Sequence, residues 1–183
     1  MSWNSLEHTS RVLLSACLET NEHAEALFHD FSPSHLSSAL KLAASKCDDE
    51  CRRENLEHFI GGYEVLMNTR NTIVHNLIGV LPADDGVGCV GLVLGQRVRA
   101  KHELVEFRVS EAVLSDFVKD CYQFVAFADF LIAEVRPTKT DLELAIKSAA
   151  RELGNEENMG VKPDLPCRLN LKRRRLDHTG EFK

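Results

Sequence analysis

The segment NTRNTIVHN, residues 68–76, brings a guanidinium, an amide and an imidazole into little more than two helical turns. Its candidates for chemistry are Arg70, Asn71 and His75. A histidine ordinarily titrates near pH 6.5, so it can take or give a proton at neutral pH. A guanidinium can bind a phosphate through two hydrogen bonds and offset charge as it develops. These groups suffice for attack on a phosphodiester by a neighbouring 2′-hydroxyl, which needs no metal ion.

The spacing of the three residues predicts how they are oriented. Asn71 and His75 are four residues apart and share a helix face, so we expect the amide to orient the imidazole. Arg70 and His75 are five apart, which separates them by roughly 140° and about 7.5 Å on a regular helix. This angle predicts that the two side chains of one copy diverge. They would then border a cleft together, or meet their own copies across a two-fold axis.

The neighbours of Arg70 are mostly apolar, which leaves a structural alternative open. An unpaired buried charge would cost several kcal/mol, so Arg70 either has a partner or borders an opening. The partner could be an acid on the first or fourth helix. His75 could equally be a helix-end histidine bonded to a carbonyl or to Asn71. A salt bridge sealed within one chain would favour this reading, and an open cleft would favour catalysis.

Apolar residues at spacings of three, four and seven predict a mainly all-α fold. It would be a bundle of four long helices plus a short fifth, with a β-hairpin inserted between helices three and four at about residues 87–109. Ser32-Pro33 is typical of a helix start, and Gly61-Gly62 inside the third helix predicts a kink or a close helix crossing. The predicted helices span about 5–30, 33–47, 54–78, 110–135 and 140–153. We expect a helical domain at 1–155 and a flexible basic tail at 156–183.

Composition and charge limit the function. The chain has 183 residues, enough for one domain, with 44% apolar and 27% charged residues. No apolar run reaches the roughly 20 residues that span a bilayer, and the N-terminus lacks signal-peptide features. We therefore expect a cytoplasmic protein with no membrane partner.

Charge is distributed unevenly along the chain. Residues 161–183 hold seven basic and three acidic residues, whereas the other 160 carry a net charge of −10. An acidic body argues against a protein that coats duplex DNA. The acidic charge of the body does not exclude contact with single-stranded RNA through a small basic site. The run Lys172, Arg173, Arg174 and Arg175 is a candidate RNA-binding element, although a solvated tail explains it as well.

The sequence predicts no metal ion and no cofactor. Cys47 and Cys51 are four residues apart, but no second pair at metal-ligand spacing accompanies them. The glycine-rich stretch GCVGLVLG lacks the lysine of a phosphate-binding loop.

The order Arg70-Asn71-x3-His75 resembles the R-x4-H motif of the HEPN superfamily, in the form with a polar residue after the arginine. A helical bundle with the motif late in its third helix is also similar, over residues 5–136. HEPN proteins include ribonuclease toxins and phage-defence nucleases. They typically dimerise, so that two motifs form one composite site, and they cut RNA without metal. The resemblance implies an RNA-cleaving homodimer with Arg70, Asn71 and His75 as catalytic residues, and an antitoxin or nucleotidyltransferase as candidate partner.

A second hypothesis comes from a different functional class. Some members of the superfamily keep the fold and serve as binding or assembly modules. The alternative to a ribonuclease is therefore a non-catalytic HEPN-like module that uses the same helix face to bind a partner or RNA.

Overall fold

The computed structural model describes residues 2–19, 26–81, 89–98, 101–135, 162–166 and 174–175. Helices make up most of these residues, so the prediction of a mainly helical fold is confirmed for them. The predicted fifth helix at 140–153 lies outside the described residues. The chain divides into two compact units, Met1–Met67 with Val118–Pro166, and Asn68–Phe117 with Cys167–Lys183. Among the described helices, none is long and apolar enough to cross a membrane.

The long helices of the described chain are α1 (Ser2–Cys17), α2 (Pro33–Ser45), α3 (Glu50–Asn76) and α4 (Glu111–Val135). The prediction that the first helix continues to residue 30 is wrong. The helix ends at Cys17: the Leu18 amide makes the last i to i−4 bond, to the Leu14 carbonyl, and the Glu19 amide forms a tighter i to i−3 turn with the Ala16 carbonyl. Glu19 has a φ of 51°, the left-handed conformation that commonly ends helices.

Polar side chains begin the next two helices. Ser32 caps α2, because its Oγ accepts from the amide of His35 at 3.3 Å, as its sequence predicts. Asp49 does the same for α3, whose Arg52 amide donates to Asp49 Oδ1 at 2.9 Å. This cap starts α3 at Glu50, four residues before the predicted position.

The first unit has a core of apolar and aromatic side chains around α3. Tyr63 is fully buried, and its ring centroid lies 5.5 Å from Trp3 of α1 and 6.2 Å from Phe59. Phe59 in turn lies 6.0 Å from Phe124 of α4. The α3 residues that this core buries recur at the predicted spacings of three and four, and we call them the apolar stripe of α3: Leu56, Phe59, Ile60, Tyr63 and Leu66. The stripe continues toward the C-terminal end of α3, where the candidate residues lie.

The two glycines in the middle of α3 have different surroundings. A Cβ on Gly62 would lie 2.0 Å from Cε1 and Cζ of Phe124, far inside van der Waals contact. Phe124 is fully buried, and its ring contacts those of His58 and Phe59. A Cβ on Gly61 would meet only Leu165 Cδ2, at 3.8 Å. The close contact at the glycine pair is therefore between Gly62 and Phe124 of α4.

We expect Gly62→Ala to lower the free energy of unfolding by about 1–3 kcal/mol, because the added methyl group overpacks the contact with Phe124. Gly61→Ala is the matched control. It should leave stability unchanged or raise it by up to about 1 kcal/mol, since alanine is the better helix former and finds space there. Urea unfolding of both variants measures the difference. Equal effects of the two substitutions would contradict the assignment of the close contact to Gly62.

Glu64 of α3 binds two side chains of α2. Its Oε1 lies 2.6 Å from Lys41 Nζ and accepts from Ser37 Oγ at 2.6 Å. The hydrogen bond from Lys41, followed by that from Ser37, lowers the pKa of the Glu64 carboxyl group. A lowered pKa in the folded state adds stability above the ordinary carboxyl pKa, and this stability disappears as pH falls through the folded-state value.

Glu64→Gln should therefore destabilise the protein at pH 7 and lose that effect in acid. The expected cost is below about 1 kcal/mol, because the ion pair is partly exposed and Gln can still accept from Ser37. Once the pH is well below the lowered pKa of Glu64, where the carboxyl group is protonated in both the folded and the unfolded state, the variant and the wild type should unfold at the same urea concentration. Glu57→Gln, at an exposed position of the same helix, is the control. A difference between Glu64→Gln and wild type that stays constant with pH would contradict this account.

The second unit contains a four-stranded antiparallel sheet with the order β1-β2-β3-β4. Its strands are β1 (Leu77–Leu81), β2 (Cys89–Val98), β3 (Lys101–Ser110) and β4 (Arg174–Arg175). The predicted third helix extends to residue 78, whereas α3 ends at Asn76 and β1 begins at Leu77. The last turns of α3 therefore lead directly into the sheet.

Candidate active site

Arg70, Asn71 and His75 lie in the last two turns of α3, within the second unit. The helix positions them by ordinary i to i+4 bonding. In this part of the helix, Thr72 Oγ1 also donates a hydrogen bond to the Asn68 carbonyl at 2.9 Å. All three candidate side chains belong to one continuous element, so their relative geometry follows from a single helix.

The structure brings Arg70 and His75 together. Arg70 Nη1 lies 3.4 Å from His75 Nε2, a long hydrogen bond. The prediction that the two side chains of one copy diverge is therefore wrong. The angle between their Cα positions is as predicted from helix geometry, but the arginine side chain is long enough to cross it.

This contact assigns the hydrogen-bonding roles. A guanidinium has only donors, so His75 Nε2 must accept in a bond with Arg70. An imidazole that accepts at Nε2 carries its proton on Nδ1 and is neutral. In this arrangement His75 can accept a proton at the nitrogen that faces Arg70.

Asn71 has a different partner from the one predicted. Its Oδ1 accepts from Arg70 Nη1 at 3.1 Å, whereas the sequence had suggested that it orients His75. The amide therefore holds the guanidinium, and the guanidinium in turn contacts the imidazole.

The site is open to solvent at one end. Arg70 and Asn71 are half-buried and His75 is exposed. Val74, beside His75, is 56% exposed although it is apolar. Within the described part of the chain, no carboxylate forms an ion pair with Arg70.

Arg11 of α1 shows what a structural arginine looks like in the same chain. Its guanidinium contacts Glu7 Oε1 at 2.5 Å and donates to the carbonyls of Phe28 and Phe31 at 3.0 and 3.3 Å. These bonds fasten the chain that follows α1 to that helix. Among the described residues, the side-chain partners of Arg70 are instead Asn71 Oδ1 and His75 Nε2.

The basic run lies partly within the sheet. Arg174 pairs with Glu106 and Arg175 with Val105, which makes β4 the strand beside β3. Lys172 and Arg173 lie outside the described residues. Arg174, Arg175 and the Arg70–His75 site all belong to the second unit.

His58 has a structural role that its sequence position alone does not show. Its ring is half-buried, and its Nε2 lies 2.7 Å from the Pro163 carbonyl. The sequence feature that could have indicated this role is the position of His58, next to the buried Phe59 and one turn before Gly62.

Cys47 and Cys51 are free cysteines near the start of α3. Across the part of the chain that can be described, no three His, Cys, Asp or Glu side chains form a group that could hold a metal ion.

Comparison of the chain with models of known protein families, with curated proteins and with solved structures finds no match.

Proposed function

We propose that the protein is a metal-independent endoribonuclease with a HEPN-like helical bundle, in which the hairpin of β2 and β3 is an insert between α3 and α4. The observation that carries the proposal is the 3.4 Å contact between Arg70 Nη1 and His75 Nε2 at the solvent-open end of α3. It supports the proposal because it places a phosphate-binding group and a proton-transfer group side by side. We further propose a role as a toxin or phage-defence effector, from the resemblance of the motif.

The proposed reaction is attack of an RNA 2′-hydroxyl on the adjacent phosphorus. Arg70 binds the scissile phosphate, and Asn71 holds the guanidinium in position. When the phosphate takes over the donors of Arg70, His75 Nε2 is released to take the 2′-hydroxyl proton. The 5′-oxygen leaves with a proton from a general acid. The products are a 5′-hydroxyl and a cyclic or 3′-phosphate.

A homodimer fits this chemistry better than a single chain. The base and the acid act on opposite sides of the phosphorus, and one motif supplies one imidazole. A second copy would supply the other histidine, and the exposed Val74 beside His75 is suited to an interface between the copies. We expect light scattering at micromolar concentration to give the mass of two chains. A mass of one chain under conditions where RNA is cleaved would contradict the composite site.

A non-catalytic module remains the second candidate. Arg70 already uses one donor nitrogen on Asn71 and His75, as an arginine with a positioning role would. In that case the same end of α3 binds a partner protein or RNA, and the RNA is not cleaved.

The deciding experiment is incubation of the purified protein with total RNA in excess EDTA, beside His75→Ala. The ribonuclease proposal predicts cleavage by the wild type in EDTA and its loss in the variant. Binding of RNA without cleavage, alike in both proteins, would favour the module. Cleavage that EDTA stops would contradict the mechanism.

A further inference from the structure

The charges of the chain are divided unevenly between its two units. The second unit, which carries the Arg70–His75 site, holds 11 basic and 8 acidic residues, a net charge of +3. The first unit holds 11 basic and 20 acidic residues, a net charge of −9. The second unit is therefore the part of the chain that attracts an anionic ligand.

The register of the sheet assigns the residues of β2 and β3 to two faces. Partners in an antiparallel pair share a face, and neighbours along a strand alternate between faces. One face carries six apolar residues at consecutive paired positions: Val90, Leu92, Leu94, Val105, Phe107 and Val109. Antiparallel sheets commonly pack through an apolar face and leave the other face to water. The opposite face is therefore the candidate for ligand binding.

The opposite face carries three arginines and a histidine, and we call it the basic face. Arg97 and His102 are partners near the hairpin end of β2 and β3, and Arg108 lies six residues along β3 from His102. Arg174 of β4 pairs with Glu106, which places it on the same face. Glu106 is the one acidic residue among the paired positions of this face. At about 3.3 Å per residue, the three arginines are distributed over roughly 20 Å of the sheet.

The basic face also holds the glycines of β1 and β2. Gly91 is the partner of Gly79 and of Arg108, and Gly95 is the partner of Leu104. A glycine inside a strand gives up cross-strand packing, and it often occurs where a ligand approaches the backbone closely. All three glycines lie on the face that carries the arginines, an arrangement that suits a polyanion lying along the strands.

We propose that the basic face is a binding surface for the phosphate backbone of single-stranded RNA. Arg97, Arg108 and Arg174 each bind a phosphate, because a guanidinium can donate to two phosphate oxygens at once. The paired positions of this face include no phenylalanine, tyrosine or tryptophan on which bases could stack, so binding does not depend on base sequence. The acidic first unit opposes the broader contact of a duplex. The proposal rests on the proposed function only in its choice of RNA over DNA.

The basic face is also continuous in sequence with the candidate active site. α3 ends at Asn76 and β1 begins at Leu77, so Gly79 follows His75 by four residues. Four residues of extended chain span at most about 14 Å. An RNA strand on the basic face can therefore continue to the Arg70–His75 site.

The test measures binding of a fluorescent oligouridine of about 12 nucleotides to the full chain by anisotropy. All sugars of this RNA are 2′-O-methylated, so no 2′-hydroxyl can attack and the result does not depend on cleavage. Wild type should bind with a Kd on the order of micromolar at low salt. Each phosphate contact on a single strand contributes about −0.7 to the slope of log K against log salt, so three contacts predict a slope of about −2. A slope near zero, or no binding at about 100 μM chain, would overturn the proposal.

Two double substitutions locate the binding on the sheet. Arg97→Ala with Arg108→Ala removes two charges from the basic face, and should weaken binding at least about tenfold and make the slope shallower by about 1.4. Lys101→Ala with Arg175→Ala is the matched control, since these residues lie on the other face of the same sheet. The control should keep the wild-type slope, with an affinity within about twofold. Equal losses for the two pairs would mean attraction by net charge alone and would overturn the assignment to the basic face.

Competition measurements on the wild type need no variant to fold. Duplex RNA of the same length, or polyglutamate, that displaces the oligouridine as well as unlabelled oligouridine does would overturn the choice of single-stranded RNA. Binding of the oligouridine by a chain that leaves ordinary RNA uncut would support this proposal and contradict only the proposed ribonuclease.

Discussion

Replacing His75 with alanine is expected to reduce the rate of RNA cleavage by at least about 10²–10⁴, the usual effect of losing one proton-transfer group, because the substitution removes the histidine of both copies in the composite site. The imidazole is the group next to the guanidinium that can take a proton, since its Nε2 accepts from Arg70 at 3.4 Å. The side chain is exposed, so its removal leaves the core of α3 unchanged. Single-turnover cleavage of a labelled RNA measures the rate directly.

His8→Ala is the matched control for this substitution. His8 is an exposed helix histidine, on α1 of the first unit, and its loss should leave the cleavage rate unchanged. Circular dichroism and urea unfolding should give the wild-type result for both variants. A His75→Ala protein that folds and cleaves as fast as wild type would contradict the assigned role.

Arg70→Ala is expected to reduce cleavage by about 10²–10³, as loss of a donor to the developing charge typically does. Arg70→Lys should recover only part of the rate. An ammonium is a compact charge that cannot bind two phosphate oxygens in parallel, and it does not reproduce the planar contact to both Asn71 and His75.

Arg53→Ala is the control on the same helix. Arg53 forms a long surface ion pair with Glu50 at 3.6 Å, and such pairs contribute little. We expect its loss to leave both stability and cleavage close to wild type. Full recovery of activity by Arg70→Lys would mean that charge alone is needed, which would contradict two-point binding of the phosphate.

The helical part of the fold could be predicted because its signals are local. The apolar stripe of α3 follows helical periodicity, and each of its central residues is buried. Ser32-Pro33 begins α2 where the cap chemistry places it. The first helix was predicted too long, because an apolar pattern that continues past Cys17 does not reveal a left-handed residue at Glu19.

The candidate site could be found from the sequence, but its internal contacts could not. Helix geometry gives the directions of Cα–Cβ bonds, which is why Arg70 and His75 were expected to diverge. It does not give the rotamers of a long side chain, and these bring Nη1 to His75 and to Asn71. The role of His58 depends on a partner 105 residues away, Pro163, and no local pattern carries such information.

The two glycines of α3 also show that sequence alone does not predict which residues come into contact. Their presence predicted a close contact, and Phe124 provides it at Gly62. Which glycine faces which neighbour depends on the packing of α4 and of the segment Lys162–Pro166, both distant in sequence.

The chemistry of the cut ends tests the central claim most directly. Purified wild-type protein is incubated with RNA in EDTA, and the ends of the fragments are analysed by kinase labelling with and without prior phosphatase. Attack by the 2′-hydroxyl predicts 5′-hydroxyl ends that accept phosphate without phosphatase, together with cyclic or 3′-phosphate ends. Fragments with 5′-phosphate and 3′-hydroxyl ends would mean that water or a metal-bound hydroxide attacks the phosphorus, and would contradict the roles proposed for Arg70 and His75.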